Sequence, residues 1–189
     1  VVPDTVEAAS GYFEKSFSGR GVKPAFSEIL FRTREKGVSW ASAHLDYFDD
    51  VSRVTGGKSA PLKIKRTIRS GRDGSILQAD SVINIGDELD VALEIDSDRD
   101  LDYVHIYDPR GCGFEPVDNL SKFVNGYHFS PRDQGARFYI ERLAKGRSVI
   151  EHKLKACYGG KFNFAPASAE CMYAPEFLAH SGSTVLEVK

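Results

Sequence analysis

Gly86-Asp87-Glu88-Leu89-Asp90-Val91-Ala92-Leu93-Glu94-Ile95-Asp96 is the stretch whose reading decides the fold class. Gly86-Asp87 opens it, and Leu89, Val91, Leu93 and Ile95 then alternate with Asp90, Glu94 and Asp96. Successive side chains of a strand leave opposite faces, so strict alternation predicts a strand with one buried and one wet face. Working outward, Leu62, Ile64 and Ile68 sit at even spacing among basic residues. Downstream, Tyr103–Tyr107, Ala136–Leu143, Ser148–Tyr158, Ala169–Tyr173 and Thr184–Val188 carry strand patterns. Asp96-Ser97-Asp98-Arg99-Asp100, Lys145-Gly146 and Gly159-Gly160 supply turn chemistry between them. Short strands at intervals near ten residues predict a sandwich of the seven-stranded type over residues 60–189. Its expected core holds Leu89, Val91, Leu93, Ile95, Phe138, Ile140, Ile150 and Leu154.

The first 57 residues read differently. Ala25–Arg32 is a short extended candidate, and the apolar spacing of Val38–Phe48 fits a strand or a helix equally well. Thr55-Gly56-Gly57-Lys58-Ser59-Ala60-Pro61 is a break, which divides the chain into 1–57 and 58–189. The start, Val1-Val2-Pro3-Asp4, has no initiator Met and no signal-peptide pattern, and the expectation is a piece of a longer chain.

Twenty-five basic and 27 acidic residues among 189 give a formal charge of −2, so no global field favours nucleic acid or an anionic membrane. No apolar run reaches the roughly 20 residues of a membrane-spanning helix. Asp96-x-Asp98-x-Asp100-x-Asp102 imitates a calcium loop. An EF-hand needs Gly at position six and Glu at twelve, where this chain has Leu101 and Tyr107, so the stretch is expected to be a solvated hairpin turn. Cys112, between Gly111 and Gly113, is expected to fill a tight loop, since none of His44, His105, His128, His152 or His180 is spaced to serve it as a base. Cys157 and Cys171 fall on strand candidates and would form a cross-strand disulfide only if their registers match. Asp46, Asp49 and Asp50 form an acidic cluster expected to be solvated surface. The residues thus predict no catalytic, cofactor-binding or metal site and no cofactor: a β protein with a binding or structural role, not an enzyme.

Several phrases together resemble the C-terminal end of the bacterial alpha-2-macroglobulin family, of the Bacteroidetes type. The most specific is Cys171-Met172-Tyr173-Ala174-Pro175-Glu176-Phe177, followed by Ala179-His180-Ser181. Asp98–His105, Gly113-Phe114-Glu115-Pro116-Val117 and Leu143-Ala144-Lys145-Gly146 fit in order, with Ala144 where the family has Pro. In Glu151-His152-Lys153-Leu154-Lys155, His152 stands where the family has an aromatic residue. Gly11-Tyr12-Phe13-Glu14-Lys15-Ser16 and Trp40–Asp50 extend the resemblance to the N-terminal part. It implies a fibronectin/immunoglobulin-like macroglobulin β-sandwich over 58–189, preceded by a partial CUB-like β segment at 1–57.

The parent would be a periplasmic or cell-surface protease trap that rearranges after cleavage of a bait region. Its partners would be its own remaining domains and, indirectly, trapped proteases. The family's Cys-x-Glu-Gln thioester is not in this sequence: Cys112 precedes Gly-Phe, Cys157 Tyr-Gly and Cys171 Met-Tyr. Residues 1–57, aromatic-rich, would dock on the sandwich, or pair between molecules where their edges stay open. The alternative is a free-standing sandwich for binding or adhesion.

Overall fold

The computed structural model describes residues 11–32, 36–57, 61–78 and 81–189. The chain divides into two units, Val1–Tyr47 and Phe48–Lys189. Among the described residues of the first, the regular pieces are two 3-10 turns, Gly19–Gly21 and Pro24–Ser27. Ala25–Arg32 therefore begins in a 3-10 turn and forms no strand, and Val38–Phe48 forms neither strand nor helix. The reason is physical: a strand persists only where a neighbour takes its N–H and C=O groups, and no such neighbour occurs among the described residues of this unit. Val1-Val2-Pro3-Asp4 and Lys58-Ser59-Ala60 lie outside the described residues.

The second unit holds the strands. In chain order they are β1 (Leu62–Ser70), β2 (Val82–Ile83), β3 (Glu88–Ser97), β4 (Leu101–Pro109), β5 (Phe114–Pro116), β6 (Lys122–Val124), β7 (Tyr127–Arg132), β8 (Gly135–Leu143), β9 (Gly146–Ala156), β10 (Gly160–Phe164), β11 (Ser168–Cys171), β12 (Ala174–His180) and β13 (Thr184–Val188). They build a four-stranded sheet β1-β3-β9-β5, a six-stranded sheet β12-β11-β4-β8-β7-β6 and a small sheet β10-β13-β2. All pairings are antiparallel except β13 with β2. The sandwich carries more strands than the seven patterns read in the sequence: β2, β5, β6, β7, β10 and β12 extend its sheets.

The alternation in β3 is interrupted only by buried Ala92: Leu89, Val91, Leu93 and Ile95 are buried, and β3 pairs with β1 on one side and β9 on the other. Phe138, Ile140, Ile150 and Leu154 are buried with them in one core, to which both large sheets contribute. The β6–β7 hairpin turns on Asn125-Gly126, both at positive φ (44° and 88°), as a two-residue type I′ loop requires.

Two expected turns have another role. β3 belongs to the four-stranded sheet and β4 to the six-stranded one, so Asp96–Asp100 is a crossing between sheets and not a hairpin turn. Lys145-Gly146 likewise carries the chain from β8 back to β9 in the opposite sheet. Asp100 braces both crossings: it accepts the backbone N–H of Lys145 at 2.8 Å and pairs with Arg142 at 3.1 Å.

Gly135 begins β8 directly opposite Pro109 at the end of β4. A Cβ there would overlap the backbone carbonyl of Asp108 and the Cα of Pro109, atoms that cannot swing aside as a side-chain tip can. Gly135→Ala is expected to lower stability by about 1–3 kcal/mol, the range of overpacked sites. Urea denaturation with an unchanged m value checks it, and a midpoint equal to that of the natural chain contradicts it.

Candidate functional site

Three strands each place a polar residue where their alternation calls for an apolar one. In β1 the inward series is Leu62, Ile64, Arg66, Ile68; in β4 it is Val104, Ile106, Asp108; in β9 it is Ile150, His152, Leu154. The three meet in the interior. The Arg66 guanidinium donates to Asp108 Oδ1 at 2.8 Å, and His152 Nε2 lies 2.8 Å from Asp108 Oδ2. Asp108 is 2% exposed and belongs to the six-stranded sheet, whereas Arg66 and His152 come from the four-stranded one. The carboxylate therefore ties the two layers together.

Arg66 also donates to the carbonyls of Ala165 (2.8 Å) and Phe164 (2.9 Å), and its guanidinium lies 5.5 Å from the centre of the Phe164 ring. Burial pushes the Asp108 carboxyl up. The His152 hydrogen bond and the Arg66 charge outweigh burial and hold the group below the usual carboxylate range.

A His–Asp pair invites comparison with a catalytic base, and the surroundings argue against it. His152 is packed against the rings of Phe138 and Phe129, and its Nδ1 has no hydrogen-bond partner among the described residues. Among the described residues no hydroxyl or thiol hydrogen-bonds to the ring, so the geometry that activates a nucleophile is not formed. With the proton on Nε2 the ring satisfies Asp108, and the arrangement works as a polar clamp between layers.

The residues singled out in the sequence are dispersed. Asp98 pairs with Arg99, Asp100 serves the crossings, and Asp96 and Asp102 stay exposed. No group of three or more His, Cys, Asp or Glu among the described residues is placed to hold a metal ion. Asp50 accepts from Ser52 and caps the 3-10 turn Val51–Arg53, with Asp49 accepting from the backbone N–H of Asp50.

Cys112 is exposed and does not fill its loop. The flanking glycines do: Gly111 and Gly113 press against Phe162, leaving no room for a Cβ at Gly113. Cys157 follows β9, while Cys171 ends β11 in the other large sheet, so the two are not on neighbouring strands and both are free thiols.

The surface carries a second feature that sequence reasoning missed. The β11–β12 hairpin turns at Met172-Tyr173, and Met172 donates its backbone N–H to the carbonyl of Tyr103 at 2.9 Å. Tyr103 sits within β4 at φ 54°, a left-handed conformation that costs a non-glycine residue about 1–3 kcal/mol. The Tyr103 and Tyr173 rings meet edge to face at 5.3 Å. Tyr173 is 80% exposed, Met172 52% and Tyr103 47%. Three large apolar side chains thus stand together in solvent on a strained backbone.

Comparison with known families decides what this sandwich is. The family model for the bacterial alpha-2-macroglobulin MG10 domain matches residues 62–176. The chain belongs to this family. Salmonella alpha-2-macroglobulin reacted with methylamine is 21% identical, with a TM-score of 0.59, covering 70% of this chain and 9% of its own. Escherichia coli alpha-2-macroglobulin activated by porcine elastase is 20% identical with a TM-score of 0.62, covering 71% and 14%. The native Escherichia coli protein from domain MG7 to the C-terminus gives 19% and 0.60, covering 71% and 24%.

At these identities the likeness to solved structures establishes the fold, and it does not bear on a Bacteroidetes type. The chain spans from 9% to 24% of the length of those relatives. Comparison with curated proteins gives no match. Arg66, Tyr103, Asp108, His152 and the Met172-Tyr173 tip all lie inside the MG10 match. Among the described residues no helix is long and apolar enough to cross a membrane.

Proposed function

We propose that this chain is a non-catalytic module near the C-terminal end of a protease-trapping macroglobulin of the bacterial cell envelope. In that reading it supports and transmits the rearrangement that follows bait cleavage. Membership of the MG10 family supports the parent. The observation that carries the module's role is the Tyr103–Met172–Tyr173 patch. Apolar side chains clustered in solvent beside a strained strand residue mark a contact surface, and in a macroglobulin the natural partner is another domain of the same chain. The clamp of Arg66, Asp108 and His152 makes the sandwich stiff enough to pass a displacement on without repacking.

The first unit fits a companion proposal. Residues 1–57 are the last piece of a CUB-like domain whose other strands lie elsewhere in the parent. Phe31, Trp40 and Tyr47 are exposed in it, as expected of core residues whose partner strands belong to sequence-distant segments. The boundary proposed with it is the break at Thr55–Pro61, the sandwich module following from residue 58.

Tyr173→Ala in the intact parent tests the role. The module is expected to keep its strand content, because the side chain is outside the core. The resting parent is expected to open more readily, seen as faster limited proteolysis outside the bait region and weaker protease retention after bait cleavage. Unchanged proteolysis and unchanged retention would sink the proposal.

A further inference from the structure

β9 is long and only partly covered. Along one side it pairs with β3 from Gly146 to Lys155. On the other side β5 pairs only with Leu154–Ala156, and Val117 adds one bond to the carbonyl of Lys153. The backbone bonds fix which residues face which way. Cys157 donates to Gly113 on the β5 side and Lys153 accepts there, whereas Ala156 exchanges both its bonds with Gly86 and Asp87 on the β3 side. By the period of two, Arg147, Val149 and Glu151 turn their N–H and C=O groups to the β5 side, where no strand follows. Among the described residues no backbone bond reaches those groups. A cavity of about 760 Å³ lies beside this edge, walled by Val124, Tyr127, Ile140 and Leu143 across from Ser148–Glu151.

We propose that this open edge pairs with the same edge of a second copy of the chain, antiparallel about a two-fold axis through Val149. A row of like charges would protect such an edge. Here the charges do the opposite. With Val149 facing Val149 of the second copy, Arg147 of each chain lies across from Glu151 of the other, so the open stretch 147–151 is complementary to itself in that register. Each of the three facing pairs exchanges two backbone hydrogen bonds, because all three residues present their groups outward. Val149, 50% exposed, sits at the centre with nothing polar to bury. Arg147 already pairs with Glu94 at 2.6 Å through one terminal nitrogen, and its guanidinium has further N–H groups that can reach the facing Glu151. The proposal is independent of the aromatic patch and of the role assigned to it.

Sedimentation velocity of the full chain over a concentration series tests it. A dimer of micromolar or weaker affinity is expected. Val149→Pro removes an N–H that the β3 ladder does not use, so the fold is retained while dimerisation weakens about ten- to hundredfold. Glu151→Arg and Arg147→Glu, each alone, face like charges and are expected to be monomeric with unchanged strand content. Mixed in equal amounts they regain complementarity and dimerise with each other. A chain monomeric throughout overturns the proposal, as does a dimer indifferent to Val149→Pro or a mixture that stays monomeric.

Discussion

Asp108→Ala is expected to lower the stability of the sandwich by about 3–5 kcal/mol, the cost of breaking a buried ion pair from one side. The loss is large against the roughly 5–15 kcal/mol that holds a domain of this size together. It arises because Arg66 and His152 stay buried while the charge between them is gone. Arg66 keeps the carbonyls of Phe164 and Ala165, which solvate a cation without neutralising it. Guanidinium denaturation measures the loss, and a shift under about 1 kcal/mol would refute the clamp. Replacing all three residues by apolar ones of similar volume is expected to recover most of the stability, since the desolvation cost then disappears on both sides.

The same network sets an acid limit. The folded Asp108 carboxyl titrates below its unfolded value, so its contribution is complete above the ordinary carboxylate pKa of about 3.9 and is lost as pH falls through the lower, folded value. The Asp108→Ala variant is expected to lack that component of the acid transition.

Phe138→Ala is the other large effect, about 3–5 kcal/mol. Phe138 is fully buried on β8, with Tyr127 and Phe129 of β7 at ring distances of 5.7 and 5.3 Å and His152 of the opposite sheet at 5.6 Å. Truncation leaves a cavity bordered by rings that cannot collapse together, because Tyr127 and Phe129 are fixed in β7 of one sheet and His152 in β9 of the other. It also removes the apolar wall of His152, so water gains access to the clamp. The expected signature is a lowered denaturation midpoint together with faster exchange of the β9 amides around His152. A midpoint shift below about 1 kcal/mol would show that the site relaxes.

Residues such as Leu89, Val91, Leu93 and Ile95 were legible before any coordinates, because one face of β3 is buried and a one-residue slip would invert it. The β6–β7 hairpin was not inferred although Asn125-Gly126 is a strong hairpin signal, because its flanking strands are short and β6 is largely exposed. β12 was hidden by Pro175 and Glu176, which suit an edge strand but weaken the strand pattern. Sheet membership was illegible at Asp96–Asp100 and Lys145-Gly146, since a tight turn and a crossing between layers use the same residues.

The clamp escaped for a related reason. Asp108 lies 42 residues after Arg66 and 44 before His152, and each resembles an ordinary surface residue until its strand's phase is known. The available clue was phase: a polar, ionisable side chain in step with the apolar series in three separate strands. The aromatic tip had no such clue, because exposure of Tyr173 follows from the hairpin and not from its neighbours in sequence.

Arg66 also bears on the order in which the molecule can be assembled. Two of its acceptors, Phe164 and Ala165, come 98 and 99 residues later in the chain. A chain delivered amino end first exposes this arginine long before the segment that completes its surroundings has emerged. Closing so long a loop has an entropic cost that no local contact offsets in advance. The two layers therefore cannot lock until β10 is in place, and folding is expected to be a late, concerted event governed by topology rather than a strand-by-strand build-up during synthesis.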